Sequence, residues 1–232
     1  MIKTSKNMLL AATVAAASIV PAVGALAQDA ALPGTASSPW TVSLGAEAFY
    51  GTPTSDIVKG ETEFDKIDIG GVNLRCTLKN AELELAPGLT PEFFGIVGFG
   101  SGSEEIETYW NGVLDEDRKV SVVEAQLAVG ANLRWQATEH FSVFAGARVG
   151  LGYLWVEGDD KMIDEKYDES EVGFLYGAGV GAEWAFNAHH AVTVGYDFVG
   201  STARPEVGPT GDKLKVEAQN YHMFSIGYKY TF

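Results

Sequence analysis

Hydrophobic residues alternate with small or polar residues along most of the chain after residue 39. In the segment that begins at Phe141, every second residue up to Trp155 is apolar. A period of two indicates a β-strand, because successive side chains of a strand point to opposite faces of the sheet. Similar segments begin at Trp40, Val123 and Glu171, and several exceed the roughly 5–6 residues usual in globular sheets.

The strands of the first half are less regular. Segment 67–78 changes its apolar parity at the glycine pair 70–71, which predicts a β-bulge. Segment 93–100 has phenylalanine on both parities, so its two faces stay unassigned. With further strands over 192–198 and about 215–232, the sequence predicts eight strands.

The connections between these strands alternate in length. Three are shorter, at 80–90, 136–140 and 187–190. The others are long, polar and mostly acidic, at 51–65, 101–119, 157–170 and 201–214. This alternation predicts an antiparallel up-and-down meander with turns at one end and loops at the other, which is typical of outer-membrane β-barrels.

The volume of the barrel decides which face of each strand points inward. An eight-stranded barrel has an interior just wide enough for side chains to fill. In the strands that begin at Phe141 and Glu171, apolar residues occupy all 16 positions of one parity, and glycine occupies 7 of 15 on the other. We therefore expect the bulky side chains to face lipid and the glycines to face the lumen. The alternative is a soluble, lipocalin-like ligand-binding barrel with its apolar face inside.

Aromatic residues of the outward parity lie near the strand ends. Such residues form belts at the two membrane interfaces of transmembrane barrels, whereas ordinary core aromatics have no reason to gather at strand ends. The predicted belts comprise Trp40, Trp135, Phe141, Trp184, Tyr230 and Phe232 at the turn end, and Tyr153 and Trp155 at the loop end.

The N-terminal residues have the pattern of an export signal. Lys3 and Lys6 precede the apolar stretch 8–23, and small residues at 25–27 precede Gln28. We expect a signal peptide over 1–27, a linker over 28–39 and a barrel domain over 40–232. A membrane-anchoring helix is the alternative, but a proline and a glycine interrupt the stretch.

The last strand alternates up to the final residue. Its outward parity carries Phe224, Ile226, Tyr228, Tyr230 and Phe232. This ending resembles the terminal strand signature of bacterial outer-membrane proteins, and the mature chain is similar to small eight-stranded barrels of the OmpA, OmpX and opacity-protein type. The resemblance implies that the barrel-assembly machinery reads this strand, and that outer-membrane lipid and lipopolysaccharide surround the barrel. Because the chain stops at Phe232, the peptidoglycan-binding domain of OmpA itself is not expected.

Composition narrows the range of functions. The chain has 16 basic and 31 acidic residues and a net charge of −15, so we expect no nucleic-acid partner. Cys76 is the only cysteine and lies on an apolar parity, so we interpret it as a small hydrophobic residue. The carboxylates have no EF-hand spacing, and we expect neither a metal nor a cofactor.

Charged residues also occur on the inward parity. They are Glu47, Arg75, Glu124, Arg134, Arg148, Glu183, Asp197 and Lys229. Isolated charges in a narrow lumen are costly, so we expect the three arginines to be neutralised by the three glutamates. Such a network would either plug the barrel or gate a narrow ion path.

The remaining candidates for function are the loops and the histidines. Segment 157–171 holds eight acidic residues, and Tyr109 and Trp110 lie among carboxylates as a possible partner-binding spot. His222 and Ser225 have opposite parities, which argues against a lipid A-modifying enzyme. The sequence thus predicts a non-enzymatic surface protein with a structural or adhesive role, with a narrow channel as the alternative.

Overall fold

The computed structural model describes residues 39–54, 57–59, 62–64, 67–80, 82–110, 113–160, 165–207, 214–216 and 220–232. The predicted signal peptide and most of the linker lie outside these residues. The described strands are β1 (Trp40–Pro53), β2 (Ile57–Lys59), β3 (Thr62–Phe64), β4 (Ile69–Asn80), β5 (Leu89–Trp110), β6 (Val113–Gln136), β7 (Phe141–Asp160), β8 (Glu165–Ala185), β9 (His190–Ser201), β10 (Glu206–Val207), β11 (Leu214–Val216) and β12 (Tyr221–Thr231).

Eight of these strands form a closed antiparallel barrel in the order β1-β12-β9-β8-β7-β6-β5-β4. The last strand closes the ring, because β12 pairs with β1 from Ser43 opposite Thr231 to Pro53 opposite Tyr221. Closure leaves no unpaired sheet edge within the barrel. The predicted eight-stranded up-and-down architecture is therefore confirmed. Among the described residues, no helix is long and apolar enough to cross a membrane.

The barrel wall is uneven in height. Strands β5 to β8 have 20 to 24 residues, whereas β1, β4, β9 and β12 have 11 to 14. At a rise of roughly 3.3 Å per residue, the long strands extend well beyond the apolar band of about 25 Å that a barrel presents to lipid. Residues 102–110, 113–122, 156–160 and 165–173 thus form a four-stranded sheet above the barrel, which we call the protruding sheet.

Three sequence predictions about strand bounds are wrong. Segments 101–119 and 157–170 are mostly strand rather than loop, because their polar residues lie on a sheet outside the apolar band. The terminal strand begins at Tyr221, and Leu214–Val216 belongs to a second sheet of order β10-β11-β2-β3. The expected bulge at 70–71 is absent, since β4 pairs without a register shift on both sides.

The outer surface of the barrel is apolar, as predicted. Val129, Leu127 and Ile226 expose 60% or more of their surface, and all lie on the bulky parity. In a soluble protein such a continuous band would be an aggregation hazard, whereas lipid solvates it. The lipocalin-like alternative, with these residues inside, is wrong.

The interior changes character along the barrel axis. Charged and amide side chains fill the half near the turns, and apolar side chains fill the half near the protruding sheet. We call the apolar group the plug; it comprises Phe49, Ile67, Ile69, Val120, Val122, Ala128, Leu154, Val156, Leu175, Val199, Ala203, Tyr221 and Met223. The parity change at 70–71 marks this transition, because Ile67 and Ile69 are apolar yet point inward.

Two short segments, around Asp68 and Ala203, cover the inner face of the protruding sheet and complete the plug. A Cβ at Gly102 would collide with the Asp68 carbonyl oxygen, and one at Gly173 would collide with the Ala203 nitrogen. These segments therefore approach the inner face of the protruding sheet so closely that only glycine fits. The segment that contains Ala203 is also anchored to β8, since the N–H of Phe174 donates to Thr202 Oγ1 at 2.8 Å.

Candidate functional site

The lumen near the turns contains a compact ionic cluster centred on Arg134. Its Nε lies 2.6 Å from Glu92 Oε1, and its Nη2 lies 3.0 Å from Glu183 Oε2. Its Nη1 donates to Ser142 Oγ at 2.5 Å, and Lys229 forms an ion pair with Glu183. Two cations thus face two carboxylates, and all three guanidinium nitrogens have protein partners. We call this group the ionic cluster.

The strand register brings these residues together. Ser142 and Glu183 are direct cross-strand partners on β7 and β8, and Arg134 reaches them from β6. The Arg134 guanidinium carbon lies 5.3 Å from the centroid of the Phe144 ring, within cation–π range. Only 5% of Arg134 is exposed, so the cluster is desolvated and depends on these partners to compensate its charges.

A second ion pair lies further from the turns, towards the middle of the lumen. Arg75 Nη2 donates to Glu47 Oε2 at 3.3 Å, while its Nε lies 2.8 Å from Oε1 without the alignment of a hydrogen bond. The Arg75 guanidinium also lies over the Phe94 ring, 4.5 Å from its centroid. This pair separates the ionic cluster from the middle of the lumen.

Glu124 has a different partner from the one that we expected. Both of its carboxylate oxygens accept the Tyr221 hydroxyl at 3.0 Å. Among the described residues, no lysine or arginine nitrogen lies within ion-pair distance of it, so the expected interaction of Glu124 with an arginine is reduced to a longer-range attraction by Arg148 without direct contact. The reason is its height: Glu124 lies opposite Gly100 and Leu154, at the lower edge of the plug.

Of the three predicted lumen arginines, Arg148 has no carboxylate contact among the described residues. It is only 2% exposed, and its Nη2 contacts Met223 Sδ at 3.8 Å. Asp197 lines the same small cavity, but no ion pair joins the two side chains in the described part of the chain. Among the eight predicted lumen charges, Arg148 and Asp197 therefore stand apart from the paired groups.

Glu92 is the lumen residue that sequence reasoning missed. It is 2% exposed and contacts Arg134, yet it lies at the start of β5, whose faces the sequence left unassigned. Phe94 and Ile96 share its inward parity, so the strand reads as apolar on both faces. The available signal was a glutamate directly after a proline and on the same parity as Phe94 and Ile96.

The cavities in the lumen are small. One of about 20 Å³ lies beside Arg148 and Asp197, and another of about 20 Å³ lies beside Arg134 and Glu183. Each has room for about one water molecule. The plug lies above them and the ionic cluster below, so these cavities do not form an open pore through the described residues.

The predicted belt residues lie on the outer surface, the turn-end group at the strand ends and Tyr153 and Trp155 inside β7, just below the protruding sheet. Trp135, Trp184, Trp155 and Tyr153 expose between 41% and 52% of their surface. The other belt residues are Trp40, Phe141, Tyr230 and Phe232, of which Trp40 and Phe232 are exposed and the remaining two half-buried. Along β12, Phe224 and Ile226 are exposed at 57% and 61%, and Tyr228 is half-buried.

Two turn histidines make the same contacts with neighbouring strand ends. The Nδ1–H of His140 donates to the Ala185 carbonyl at 3.0 Å, and the N–H of Ala185 donates to the His140 carbonyl at 2.8 Å. His189 repeats both contacts with Thr231, each at 2.8 Å. Each ring stacks on the aromatic residue before the contacted one, with centroids 6.3 and 5.8 Å apart. We call these contacts strand-end clamps.

No cluster for catalysis or metal binding is present among the described residues. His222 lies outside the barrel, stacked on Tyr196 with its Nδ1 2.7 Å from the tyrosine hydroxyl, whereas Ser225 lines the lumen. No group of three or more potential metal-ligating side chains occurs in the described ranges. Cys76 is exposed on the lipid face. Tyr109 and Trp110 end β5, and their side chains lie outside the described part of the structure.

The sequence matches the outer membrane protein beta-barrel domain family over residues 8–232. The chain belongs to this family. It is therefore a protein of the bacterial outer membrane, and the apolar face described above is the face that contacts lipid. No curated protein matches the chain.

Solved structures of other outer-membrane proteins are similar to this chain. A major outer membrane protein of Thermus thermophilus is 13% identical, with a TM-score of 0.50, over 82% of this chain and 99% of that one. OprG of Pseudomonas aeruginosa is 12% identical, with a TM-score of 0.49, over 83% and 96%. Ail of Yersinia pestis, in complex with sucrose octasulfate, is 14% identical, with a TM-score of 0.45, over 83% and 99%. At these identities the similarity describes the fold alone.

Proposed function

We propose that this outer-membrane barrel is a non-enzymatic, non-conducting surface protein whose protruding sheet carries its interactions outside the cell. The observation that carries the proposal is the height of β5 to β8, which extend as paired strands far beyond the lipid-facing band. A barrel that served only to span the membrane would need no such extension. The sheet presents a rigid surface rather than the loops expected from sequence.

The chemistry of this surface is acidic. Glu104, Glu157, Asp168 and Glu169 are all exposed on the protruding sheet. One described ion pair on it joins Lys166 to Asp159 at 3.5 Å, but the carboxylates outnumber the lysines. Charges of one sign on an exposed sheet steer the approach of oppositely charged partners and keep the edge strands from aggregating.

The proposal is tested by separating the protruding sheet from the barrel. In one variant, both hairpins are shortened by equal numbers of residues on paired strands, which preserves the barrel register. In a second, Glu157→Gln, Asp168→Asn and Glu169→Gln remove three charges without changing size. Ser103→Ala together with Ser170→Ala is the matched control on the same sheet.

The measurements are adhesion of cells that display each variant to surfaces coated with a cationic, a neutral or an anionic polymer. Heat-modifiable gel mobility verifies that every barrel is folded. We expect the shortened and charge-depleted variants to lose adhesion to the cationic surface while the serine control retains it. Equal adhesion of all folded variants would contradict the proposal.

The channel alternative finds less support. The cavities near Arg148 and Arg134 each have room for only about one water, and the plug residues pack above them. A conducting path needs continuous water across the apolar band, and packed Val, Leu and Ile side chains exclude it.

We further propose that residues 1–27 are removed on export and that the barrel-assembly machinery recognises the last strand. The outward row from Phe224 to Phe232 supports the second proposal, because β12 presents it along its whole length. Truncating Phe232 tests it: reduced insertion into the outer membrane in cells, with unchanged folding in detergent, is the expected result.

A further inference from the structure

Arg148 has buried hydrogen-bond donors that none of the described residues satisfies. Its side chain is 2% exposed, and neither Nε nor Nη1 has a hydrogen-bond partner among the described residues. The remaining nitrogen, Nη2, contacts only the weakly accepting sulfur of Met223. Buried donors of a charged group are costly when they are unpaired, so these donors need a partner beyond the described residues.

The cavity beside Arg148 has the size and the chemistry for water. Its volume is about 20 Å³, and its lining includes the carboxylate of Asp197 and the hydroxyl of Ser225. A buried water needs about this much room and two to four polar partners. The unpaired donors of Arg148 and the oxygens of Asp197 and Ser225 therefore border a cavity that one water molecule can fill.

Asn73 and Gln126, also buried in the lumen, have unpartnered polar atoms as well. Gln126 Nε2 donates to Asn73 Oδ1 at 2.9 Å, but Asn73 Nδ2 and Gln126 Oε1 have no partner among the described residues. One unpaired group donates and the other accepts. Water serves both types of group, whereas an anion would serve only the donors.

We propose that the middle of the lumen is a sealed water-binding site in which ordered water links Arg148 to Asp197. The water accepts a hydrogen bond from the Arg148 guanidinium and donates one to the Asp197 carboxylate. The alternative ligand is a small anion such as chloride. It is disfavoured because Asp197 and Glu47 both line the cavity, and because Glu47 already neutralises Arg75.

Arg134 provides a matched control in the same lumen. All three of its nitrogens contact protein oxygens, so its guanidinium has fewer donors left for water than that of Arg148. The two arginines thus have the same charge and similar burial, and they differ in which groups complete their hydrogen bonds.

The first test is crystallographic. Crystals of the folded full-length barrel, at a resolution that shows ordered water, are grown with and without sodium bromide. We expect a water peak within hydrogen-bond distance of both Arg148 and Asp197, with no anomalous bromide signal there. A bromide peak at Arg148 would assign the site to an anion and overturn the proposal, as would a dry cavity in which Arg148 contacts Asp197 directly.

The second test is in solution and does not depend on crystals. In lipid nanodiscs, NMR cross-peaks between guanidinium protons and water are compared for Arg148 and Arg134. We expect a strong cross-peak that Arg148→Met assigns to Arg148, and a weaker one for Arg134, because every Arg134 nitrogen already contacts a protein oxygen. Equal cross-peaks for both arginines, or none for either, would contradict a specific water site. Heat-modifiable mobility of Arg148→Met verifies that the variant is folded.

Discussion

The two halves of the lumen fill the same narrow tube in opposite ways. Near the turns, Arg134, Glu92, Glu183 and Lys229 cancel one another's charges through direct contacts. Near the protruding sheet, residues such as Val122 and Leu175, both 0% exposed, fill the space by packing alone. The polar half fixes which strands face each other, and the apolar half closes the mouth.

The comparison shows that a narrow barrel does not need one interior chemistry. Lipid surrounds the apolar band on the outside, so only the interior is free to vary with height. Charges occupy the half near the turns, where opposite strands supply partners. Apolar packing begins inside the barrel wall, at residues such as Leu175 and Met223, and continues along the inner face of the protruding sheet.

Removing Arg134 has the largest expected effect. Arg134→Met leaves Glu92 and Glu183 buried with one lysine to compensate them, and breaking a buried charge network in this way costs about 3–5 kcal/mol. Urea unfolding in lipid vesicles, followed by heat-modifiable gel mobility, measures this loss of unfolding free energy. Arg148→Met is the matched control, with a cost below about half of that, because Arg148 has no carboxylate contact. Equal losses for both variants would show that ionic pairing does not distinguish the two arginines.

Truncation in the plug has the next largest effect. Leu175→Ala removes a fully buried side chain from the inner face and is expected to cost about 2–4 kcal/mol. Leu151→Ala is the control: it removes the same atoms from a side chain that is 56% exposed on the lipid face of the adjacent strand. The same urea titration measures both variants. A larger loss for Leu151 would contradict the assignment of inner and outer faces.

The hydrogen bond at the boundary of the two halves comes third. Tyr221→Phe removes the hydroxyl that both Glu124 oxygens accept, and leaving that buried carboxylate without its donor costs about 1–3 kcal/mol. The double variant with Glu124→Leu removes both polar groups. We expect it to be more stable than Tyr221→Phe alone; if it is less stable, Glu124 has another essential partner.

The strand-end clamps have the smallest expected effect. His189→Ala removes one side-chain hydrogen bond to Thr231 at the end of β12, which is worth about 0.5–1.5 kcal/mol. His140→Ala is expected to match it within about 0.5 kcal/mol, because the two histidines make the same contacts. Proton-exchange rates at the Ala185 and Thr231 amides separate the two clamps. Unchanged proton-exchange rates in both variants would show that the clamps do not stabilise the strand ends.

Period-two alternation was sufficient for the barrel, because a lipid-facing strand must keep one parity apolar for its whole length. Parity also assigned Arg134 and Glu183 to one interior, and the structure brings them within 3.0 Å. The plug was beyond this reasoning, because inward residues such as Ile69 are as apolar as outward ones. Both faces of such a strand are then apolar, so the pattern no longer distinguishes them. The change from a polar to an apolar interior was therefore interpreted as a β-bulge.

The protruding sheet escaped prediction for the opposite reason. Above the apolar band both faces of a strand can be polar, so residues such as Glu157 and Asp168 read as loop. Glu92 was missed because its strand carries Phe93 outside and Phe94 inside. The partners of individual charges depend on which strands face each other across the lumen. A single sequence does not give the distances between side chains on those strands.

The plug and the ionic cluster together are expected to close the lumen to ions. Single-channel recording of the refolded protein in planar bilayers measures this. We expect no stepwise conductance in the wild type at any applied voltage that the bilayer withstands. Steady, reproducible openings of the wild-type barrel would contradict the claim, because packed plug residues and a paired ionic cluster leave no path for a hydrated ion.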